Sequence, residues 1–390
     1  MFLAENLKNY LVLNLKVNNF LTHITQVYSP KFGRFTAQPI SSKLRNYKLK
    51  TVTFTIVLFF LWLQLIFDWD KISTSIRIQN LFYIVPFTFQ IPILIEVYRK
   101  RSEISELFNA SIDFELYNGY NVKHWVAVKT RKLNSQRNRV KLYTTLSIIT
   151  APAICCFRWI HLYSFPCISA NLGYFLLAEC NSETRFPFTG LILKIIQLTL
   201  TTWIFFGTTV TVFLEYVLYT SLQCYCFLNY LRQLERKLGL RKQTASGIIK
   251  KYRQIQLLIF AYNDIHRDIL TPTETAFCQF VFILSLYGTI GLSNSVAPPL
   301  QLFFGFLVIL GTLQIFEADD AIKVEIHRVS KSILEKLKSM KVNGSKRVST
   351  SSIPVLSIYI GGGSNVFDET TSLVLIDFAI NQTVGLLLME

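Results

Sequence analysis

Charged residues are scarce in this chain. They make up 16% of its 390 residues, against about a quarter in ordinary soluble proteins. The interval from Thr275 to Phe316 contains none at all, and 51% of the chain is hydrophobic. A bilayer-spanning helix needs roughly 20 apolar residues, and several apolar blocks approach or exceed that length. A soluble protein of two or three domains is therefore excluded, and the sequence predicts an integral membrane protein.

The chain also lacks the residue patterns of an enzyme. None of its five histidines stands at metal-ligand spacing from another histidine or from a cysteine. There is no nucleophile elbow, no acidic pair on one apolar helix and no phosphate-binding glycine loop. We therefore expect no enzymatic activity, no metal site and no cofactor. The histidines are His23, His124, His161, His266 and His327.

Acidic residues are fewer than basic ones, 24 against 40, which gives a formal net charge of +16. A basic chain can bind nucleic acid, but such proteins carry a distinct basic patch or stripe. Here the lysines and arginines cluster in the segments between apolar blocks. Membrane proteins carry this excess in their cytoplasmic loops. No nucleic-acid partner is expected.

The apolar blocks predict an all-α membrane protein with seven transmembrane helices. The first six blocks are nearly free of charge, whereas the last is interrupted by Asp377, Asn381 and Gln382. The fifth and sixth form a tight hairpin that turns near Pro298 and Pro299. The predicted spans are about 51–67, 78–95, 142–163, 188–218, 275–296, 299–316 and 367–389.

The distribution of lysine and arginine orients these helices. Of the 40 basic residues, 35 fall in the amino-terminal segment and in the second, fourth and sixth loops, and three fall in the other loops. Because the positive excess lies in the cytoplasm, the amino terminus is predicted inside and the carboxyl-terminal Glu390 outside. The whole chain, 1–390, is interpreted as a single seven-helix domain.

Two segments outside the spans, at about 220–270 and 319–340, carry apolar stripes at helical spacing. One interpretation places these helices flat on the anionic inner leaflet. The other packs them together below the membrane as cytoplasmic extensions of the spans, which their branched and aromatic residues favour. A glycine run at 361–363 is interpreted as a hinge before the last span. The stripes comprise Ile248, Ile249, Tyr252, Ile255, Leu258, Ile259, Tyr262, Ile265, Ile269, Ile322, Ile326, Val329, Ile333 and Leu337.

The chain has seven cysteines. Cys167 and Cys180 both fall in the second extracellular loop, an oxidising environment in which a disulfide between them would close a short loop. Two unpaired thiols are the alternative. Free thiols are expected at the cysteines that lie in spans or at their inner edge, namely Cys155, Cys156, Cys224, Cys226 and Cys278.

The predicted architecture resembles the arthropod gustatory and odorant receptor superfamily, an inverted seven-transmembrane class of chemoreceptors. The motif of gustatory receptors, Thr-Tyr, five hydrophobic residues and Gln-Phe, lies in the last span. Here Thr383 matches the threonine and Val384 stands in place of the tyrosine. Five apolar residues, 385–389, follow, and Glu390 stands at the glutamine position. The chain thus resembles a divergent gustatory-receptor-like member.

This resemblance implies a tetrameric, ligand-gated, non-selective cation channel in which the last helix of each subunit lines a central pore. Helical spacing allows one face of that helix to carry polar residues below a hydrophobic constriction, with an acidic ring at the outer mouth. The alternative is that Asp377 and Asn381 merely form hydrogen bonds to adjacent helices. The pore-lining candidates are Asp377, Asn381, Val384, Leu387 or Leu388, and Glu390.

A small extracellular ligand is expected to bind in the outer halves of the first six spans, among aromatic and polar side chains. Intramembrane cations such as Arg158 and Lys194 mark functional sites unless they reach outward to the aqueous interface. The aromatic residues alone are more typical of an interfacial belt or a packed core than of a pocket. The candidates are Tyr83, Phe87, Arg158, Trp159, His161, Lys194, Gln197, Tyr287 and Gln301.

The resemblance also implies partners and a location. The partners are a small-molecule tastant or odorant, monovalent and divalent cations as permeants, membrane lipid and the other subunits of a homo- or hetero-tetramer. The expected location is the plasma membrane of chemosensory neurons. A transporter is the first alternative, although its internal repeat with paired broken helices is not visible here. A G-protein-coupled-type receptor without channel activity is the second, although that class has the opposite orientation.

Overall fold

The computed structural model of the protein describes residues 26–29, 34–37, 42–71, 74–118, 208, 212, 218–239, 244–292, 298–313, 319–339, 352–362, 365–368 and 370–388. Within these residues the structure is helical, apart from one short hairpin. The strands are β1 (Gln26–Ser29) and β2 (Arg34–Ala37). The helices are α1 (Ser42–Phe67), α2 (Thr74–Arg99), α3 (Arg101–Tyr117), α4 (Leu218–Gly239), α5 (Ala245–His266), α6 (Leu270–Ile290), α7 (Pro298–Leu313), α8 (Asp319–Ser339) and α9 (Thr371–Leu387).

Helices occupy five of the seven predicted spans. α1, α2, α6, α7 and α9 correspond to the first, second, fifth, sixth and seventh spans, whereas the third span and nearly all of the fourth lie outside the described residues. By length and composition, two described helices could cross a membrane, over Leu44–Phe67 and Leu270–Ile290, and Leu373–Leu387 is a shorter apolar helix. α2 continues through Pro86 and Pro92, which membrane helices tolerate when neighbouring groups satisfy the freed carbonyls.

The exposed faces of these helices are apolar. On α1, Phe54 and Leu58 are buried against the rest of the fold, yet Val52, Ile56 and Phe59 are each at least half exposed. α7 presents Leu302 and Ile309 in the same way, as part of a continuous apolar helix surface. Apolar patches of this extent are rare on soluble monomers, where they mark contact with a membrane or a partner.

Four helices, α3, α4, α5 and α8, form a second group, called here the polar bundle. The predicted stripes lie inside it, because Tyr252 and Ile259 of α5 and Ile326 and Ile333 of α8 are completely buried. α4 lies between α5 and α8 and contacts both. The packed arrangement, rather than isolated helices on a lipid surface, is therefore confirmed for these stripes.

The hairpin β1–β2 was not predicted from the sequence. β2 packs against α3, where the Asn109 amide donates to the carbonyl oxygen of Phe35 at 2.7 Å and accepts from its backbone N–H at 2.9 Å. The Phe35 ring lies 5.0 Å from that of Phe108, and Arg34 pairs with Asp113 at 2.7 Å. A four-residue strand is too short to show a recognisable alternation of apolar and polar residues. Its stabilising contacts come from a helix that is distant in the sequence.

An extended segment, residues 352–360, connects the polar bundle to α9 and is called the strap. Its apolar residues Ile353, Leu356 and Ile358 are buried, so the strap belongs to the core of the bundle. After it the chain reverses, and Tyr359 pairs with Val366. Gly361 adopts a positive φ of 71° in this reversal, and its N–H donates to the Arg267 carbonyl at 2.8 Å. The glycines that were expected to form a hinge therefore begin at a turn fixed by hydrogen bonds.

Candidate functional site

α9, the predicted pore helix, begins at a set of side-chain caps. The Asp368 carboxylate accepts hydrogen bonds from the backbone N–H groups of Thr370 and Thr371, each at 3.0 Å, and from both hydroxyls. The Thr371 hydroxyl accepts in return from the Asp368 N–H at 3.0 Å. The first N–H groups of a helix lack internal partners, so these caps fix where α9 starts.

One face of α9 packs against α6. Ala379 and Thr383 are buried on this face, and Ala379 clusters with Phe282 and Ile283 of α6. The Thr383 hydroxyl donates to the Ala379 carbonyl at 2.8 Å, so it is satisfied inside its own helix. The threonine that carries the family resemblance thus lies at the α6–α9 contact.

The opposite face of α9 is open in the single chain. Asp377, Asn381, Val384 and Leu388 follow one another at spacings of four, three and four residues, which places them on one side of a helix. All four are exposed, Leu388 to 81%. Asn381 donates to Asp377 at 3.2 Å within this face.

The structure separates the two leucines that the sequence left as alternatives. Leu387 is half-buried and lies beside the end of α6, because a Cβ added to Gly291 would come within 3.0 Å of its side chain. Leu388 instead continues the open face of Asp377, Asn381 and Val384. Glu390 lies outside the described residues, so its place at the outer mouth remains a prediction.

The open face cannot be stable against lipid. It combines a carboxylate and a carboxamide with valine and leucine, and polar side chains within membrane helices face protein or water. Further copies of the chain, with water between them, would satisfy these groups. Whether this face lines an aqueous path remains a prediction.

The structure was compared with solved structures. It superimposes on the olfactory receptor OR5 of the insect Machilis hrabei in complex with eugenol with a TM-score of 0.62, over 99% of this chain and 100% of that one, at 11% sequence identity. A second structure of OR5 gives a TM-score of 0.59 and 12% identity over the same shares. The chain has the fold of an insect olfactory receptor. No family model and no curated protein matches its sequence.

The olfactory-receptor fold makes this chain a multi-pass membrane protein. The open apolar faces of α1 and α7 are consistent with such a protein. The identity to OR5 is too low to transfer a ligand or a subgroup.

A buried ion pair connects the polar bundle to the region where α9 begins. Lys323 at the start of α8 lies 3.6 Å from the Glu274 carboxylate of α6, and its ammonium lies 4.6 Å from the ring centre of Phe367. The Lys323 and Glu274 side chains are 1% and 5% exposed. These three residues are called the Lys323 joint. They connect α8, α6 and the residue just before the α9 cap.

Side chains from both flanking helices hold the strap. On α5, Tyr252 donates to the Pro354 carbonyl at 3.0 Å, and Asn263 donates to the Ser357 carbonyl at 2.9 Å. Asn263 also accepts from the Tyr359 N–H at 3.2 Å. The strap therefore has sequence-specific attachments to α5 on its way to α9.

On α8, Ser330 accepts from the Leu356 N–H at 2.7 Å, and its hydroxyl lies 2.6 Å from that of Tyr252. Burial raises the pKa of Tyr252 to about 12. The phenol thus keeps its proton for the strap carbonyl across the physiological pH range.

The ligand candidates from the sequence are only partly described. Phe87 is buried in the α1–α2 core, with its ring 6.2 Å from that of Phe54. Tyr287 is buried near the end of α6, and Gln301 is half-buried on α7. The Tyr83 side chain, together with Arg158, Trp159, His161, Lys194 and Gln197, lies outside the described residues.

Two buried glutamines were not singled out from the sequence. Gln64 on α1 and Gln279 on α6 are 4% and 6% exposed, and the amide oxygen and nitrogen of each have no hydrogen-bond partner in the part of the chain that the structure describes. Such groups are uncommon in protein interiors and call for water or a ligand. Each glutamine lies in an apolar run that contains no charged residue. An isolated carboxamide in such a run is the sequence signal that could have identified both residues as site candidates.

The cysteines are placed as far as the structure describes them. Cys224, Cys226 and Cys278 form no disulfide within the described residues, and the first two are buried. Burial raises the pKa of the Cys226 thiol well above its usual value, so it stays protonated. Cys167 and Cys180 lie outside the described residues, and their bridge remains a prediction.

Proposed function

We propose that this protein is a chemosensory receptor: a subunit of a ligand-gated, non-selective cation channel that a small extracellular molecule opens. The open face of α9 carries the proposal, because Asp377, Asn381, Val384 and Leu388 share one exposed side of this helix, the side that would line a pore if four copies surrounded an axis. The shared fold with an insect olfactory receptor supports it.

The open face divides into two parts along the helix. Asp377 and Asn381 lie toward the start of α9, and four copies of this pair would give a hydrated, cation-attracting section. Val384 and Leu388 lie toward its end and would form the narrow apolar section. Hydrophobic constrictions of this kind close by losing water. The proposed gate therefore lies at Val384 and Leu388.

Cysteine accessibility tests this arrangement. The variants Asn381→Cys and Val384→Cys, each expressed in cells, should lose current when a positively charged thiol reagent is applied to open channels. The matched control is Phe378→Cys, an exposed residue of α9 that lies off this face. The wild-type chain accounts for the native cysteines. Equal block at Phe378 and at the two test positions would contradict the proposed pore face.

We further propose that Gln64, toward the outer end of α1, contributes a polar contact to the ligand site, and that Gln279, toward the inner end of α6, holds water that couples this site to α9. Each carries two hydrogen-bonding groups that the described fold leaves unused. Gln279 lies one turn before Phe282 and Ile283, the residues of α6 that pack against α9, so water held there would bear on the gate.

Dose–response measurements test this assignment. A panel of sugars, amino acids and volatile compounds first identifies an agonist. Gln64→Leu and Gln279→Leu should then change its half-maximal concentration by about tenfold, the size of one lost or mispaired hydrogen bond. Gln254→Leu, on the polar bundle, is the control. An unchanged response in both test variants would remove the glutamines from ligand binding and from its coupling to α9.

A further inference from the structure

Basic residues converge where α1 begins and α2 ends. The first turns of α1, residues 42–50, contain four lysines or arginines and no acid, and α2 passes into α3 through Arg99, Lys100 and Arg101. The two ends are neighbours, because the Tyr47 hydroxyl donates to the Leu94 carbonyl at 2.9 Å. The Tyr47 ring also stacks on Tyr98 at 5.9 Å.

Two of these cations lie over one aromatic ring. The Lys48 ammonium is 5.0 Å from the centre of the Tyr98 ring, and the Arg101 guanidinium carbon is 4.8 Å from it. The two charges are therefore no more than about 10 Å apart, which is near the screening length at physiological salt. Within the described residues, neither has an ion-pair partner.

Lys100 and Arg99 differ in how many of their donor groups are bound within the protein and in how exposed they are. Lys100 donates to the Asp264 and Ile265 carbonyls and is 14% exposed, so it is committed to the end of α5. Arg99 pairs with the buried Glu96 at 2.7 Å but remains 64% exposed. Lys48, Tyr98, Arg99 and Arg101 form what we call the Tyr98 cation cluster.

The cluster lies at the edge of the lipid-facing surface. On α1, Lys48 is followed by the exposed apolar residues Leu49 and Val52. On α2, Ile95 is 52% exposed, and Arg99 follows it one turn later on the same face. A tyrosine at such a boundary is typical of the membrane interface, where its polar end meets the headgroups.

We infer that the Tyr98 cation cluster binds the headgroup of a phosphoinositide in the inner leaflet. The inner leaflet is anionic, and clusters of lysine and arginine beside a membrane helix attract its charged lipids. The ring contacts pre-position two cations, which reduces the ordering needed when a ligand binds. Arg101 adds a planar donor group that suits phosphate oxygens. This inference rests on the proposed inward orientation of the amino terminus and not on channel activity.

Binding to the purified full-length chain tests the inference. Native mass spectrometry in detergent would compare short-chain phosphatidylinositol bisphosphate, phosphatidylserine and phosphatidylcholine. The double variant Lys48→Gln with Arg101→Gln should bind the bisphosphate at least about tenfold more weakly than wild type. Each cation near an anionic membrane surface contributes about fivefold in affinity. The control Lys250→Gln with Arg253→Gln removes two exposed cations of α5. These lie about 17–23 Å along α5 from Asp264 and Ile265, whose carbonyls Lys100 contacts, and this control should bind as wild type does.

Further variants keep the test decisive. Lys48→Glu alone changes an exposed residue, so it gives a folded protein if the double variant does not, and it should weaken binding as well. Tyr98→Leu keeps every charge and should weaken binding by removing the ring contacts. Equal binding by wild type and the charge variants would overturn the inference. Equal affinity for phosphatidylserine and the bisphosphate would overturn the assignment to a phosphoinositide.

Channel recordings separate this inference from the proposed function. A chain that binds the bisphosphate but conducts no ions under any tested ligand would keep the lipid site and contradict the channel. A chain that conducts ions but binds no phosphoinositide would support the channel and contradict the lipid site.

Discussion

Among single residues, Lys323 and Glu274 are the most strongly constrained pair in the described structure. Both side chains are almost completely buried. In such a setting each charge is stable only beside an opposite charge. Removing one charge leaves the second without compensation in an apolar environment, which costs more than the pair itself contributes. The pair therefore acts as a constraint on how α8 and α6 meet.

Lys323→Met should lower the free energy of unfolding by about 3 kcal/mol, because the buried Glu274 carboxylate loses its cationic partner. Adding Glu274→Gln should recover much of that loss. Thermal unfolding of the detergent-solubilised protein measures both. Lys336→Met is the matched control, since its pair with Glu235 is half exposed and is worth less than about 1 kcal/mol. A single variant no less stable than the control would show that the joint carries no special constraint.

His266 gives a pH dependence with a definite sign. Burial, together with the nearby charges of Lys323 and Lys100, lowers the pKa of His266 to about 3, and its ring stacks on Tyr262 at 4.1 Å. In the unfolded chain the same group takes up a proton below about pH 6.5. The unfolded state therefore binds more protons between pH 6.5 and pH 3, and the contribution of His266 is complete above that window.

Stability should consequently fall by about 1.4 kcal/mol per pH unit from this residue as pH drops through the window. In His266→Gln that part of the slope should be absent. Unfolding midpoints at pH 7.5 and pH 5.5 give the two slopes. Identical slopes in wild type and variant would show that His266 does not remain neutral in the folded state.

Glu390 belongs to the same scale. If it forms an acidic ring at the outer mouth, Glu390→Gln should reduce the preference for cations over anions, because four negative charges are removed from the entrance. Reversal potentials under a salt gradient measure this preference. Asp377→Asn, on the open face of α9, should act in the same direction at a deeper position. An unchanged reversal potential in both variants would remove the acidic groups from the permeation path.

Among the elements, the α6–α7 hairpin depends on one close approach. A Cβ added to Gly288 would lie 2.6 Å from the Phe304 ring, whereas nothing lies within 4 Å of one added to Gly305. Because Phe304 is buried and has little room to move, the two helices would have to separate. The sequence predicted this hairpin from Pro298 and Pro299. The close packing of its two helices depends on Gly288, which the sequence alone did not single out.

Gly288→Ala should cost about 1–3 kcal/mol through overpacking. Gly305→Ala should be neutral or stabilise by up to about 1 kcal/mol, because alanine is the better helix residue where space is open. The two variants make the same chemical change on neighbouring helices, so thermal unfolding in detergent isolates the steric term. Equal midpoints would contradict the tight packing at Gly288.

The sequence predicts these elements unevenly, for physical reasons. Long periodic segments such as the α5 stripe from Ile248 to Ile265 are recoverable, because burial of one face imposes its period on the residues. The hairpin at Arg34–Ala37 is not, since its stability comes from Asn109, 72 or more residues away along the chain. Likewise, the choice between Leu387 and Leu388 depends on the exact rotation of α9 against Gly291. Periodicity specifies a rotation only to within one residue.

At the scale of the whole molecule, the chain has two parts of different character. Apolar helices with open apolar faces form one part, and the polar bundle forms the other. Within the bundle, ion pairs cross between helices, as Arg232 does to Glu325 at 2.6 Å. Burial alone would raise the pKa of Glu235, but hydrogen bonds from Lys336 and Ser332 lower it. The bundle thus pairs its charged groups with one another, and the side of the membrane on which it lies remains a prediction.

The orientation of the molecule is testable as a whole. Glycosylation tags inserted at the amino terminus and between α4 and α5 should stay unmodified, and a tag between α1 and α2 should be modified, because only the extracellular side meets the glycosylation machinery. Gel mobility before and after glycan removal gives the result. A modified amino-terminal tag would reverse the topology, and with it the leaflet assigned to the Tyr98 cation cluster.

The strap has a further consequence. It is held by side chains of α5 and α8, through Tyr252, Asn263 and Ser330, much as a groove holds a bound peptide. Because the strap is joined covalently to both of its neighbours, its local concentration at the groove is in the millimolar range. A free peptide with the sequence of residues 352–360 would have to reach that level to displace it. The protein thus occupies its own peptide groove.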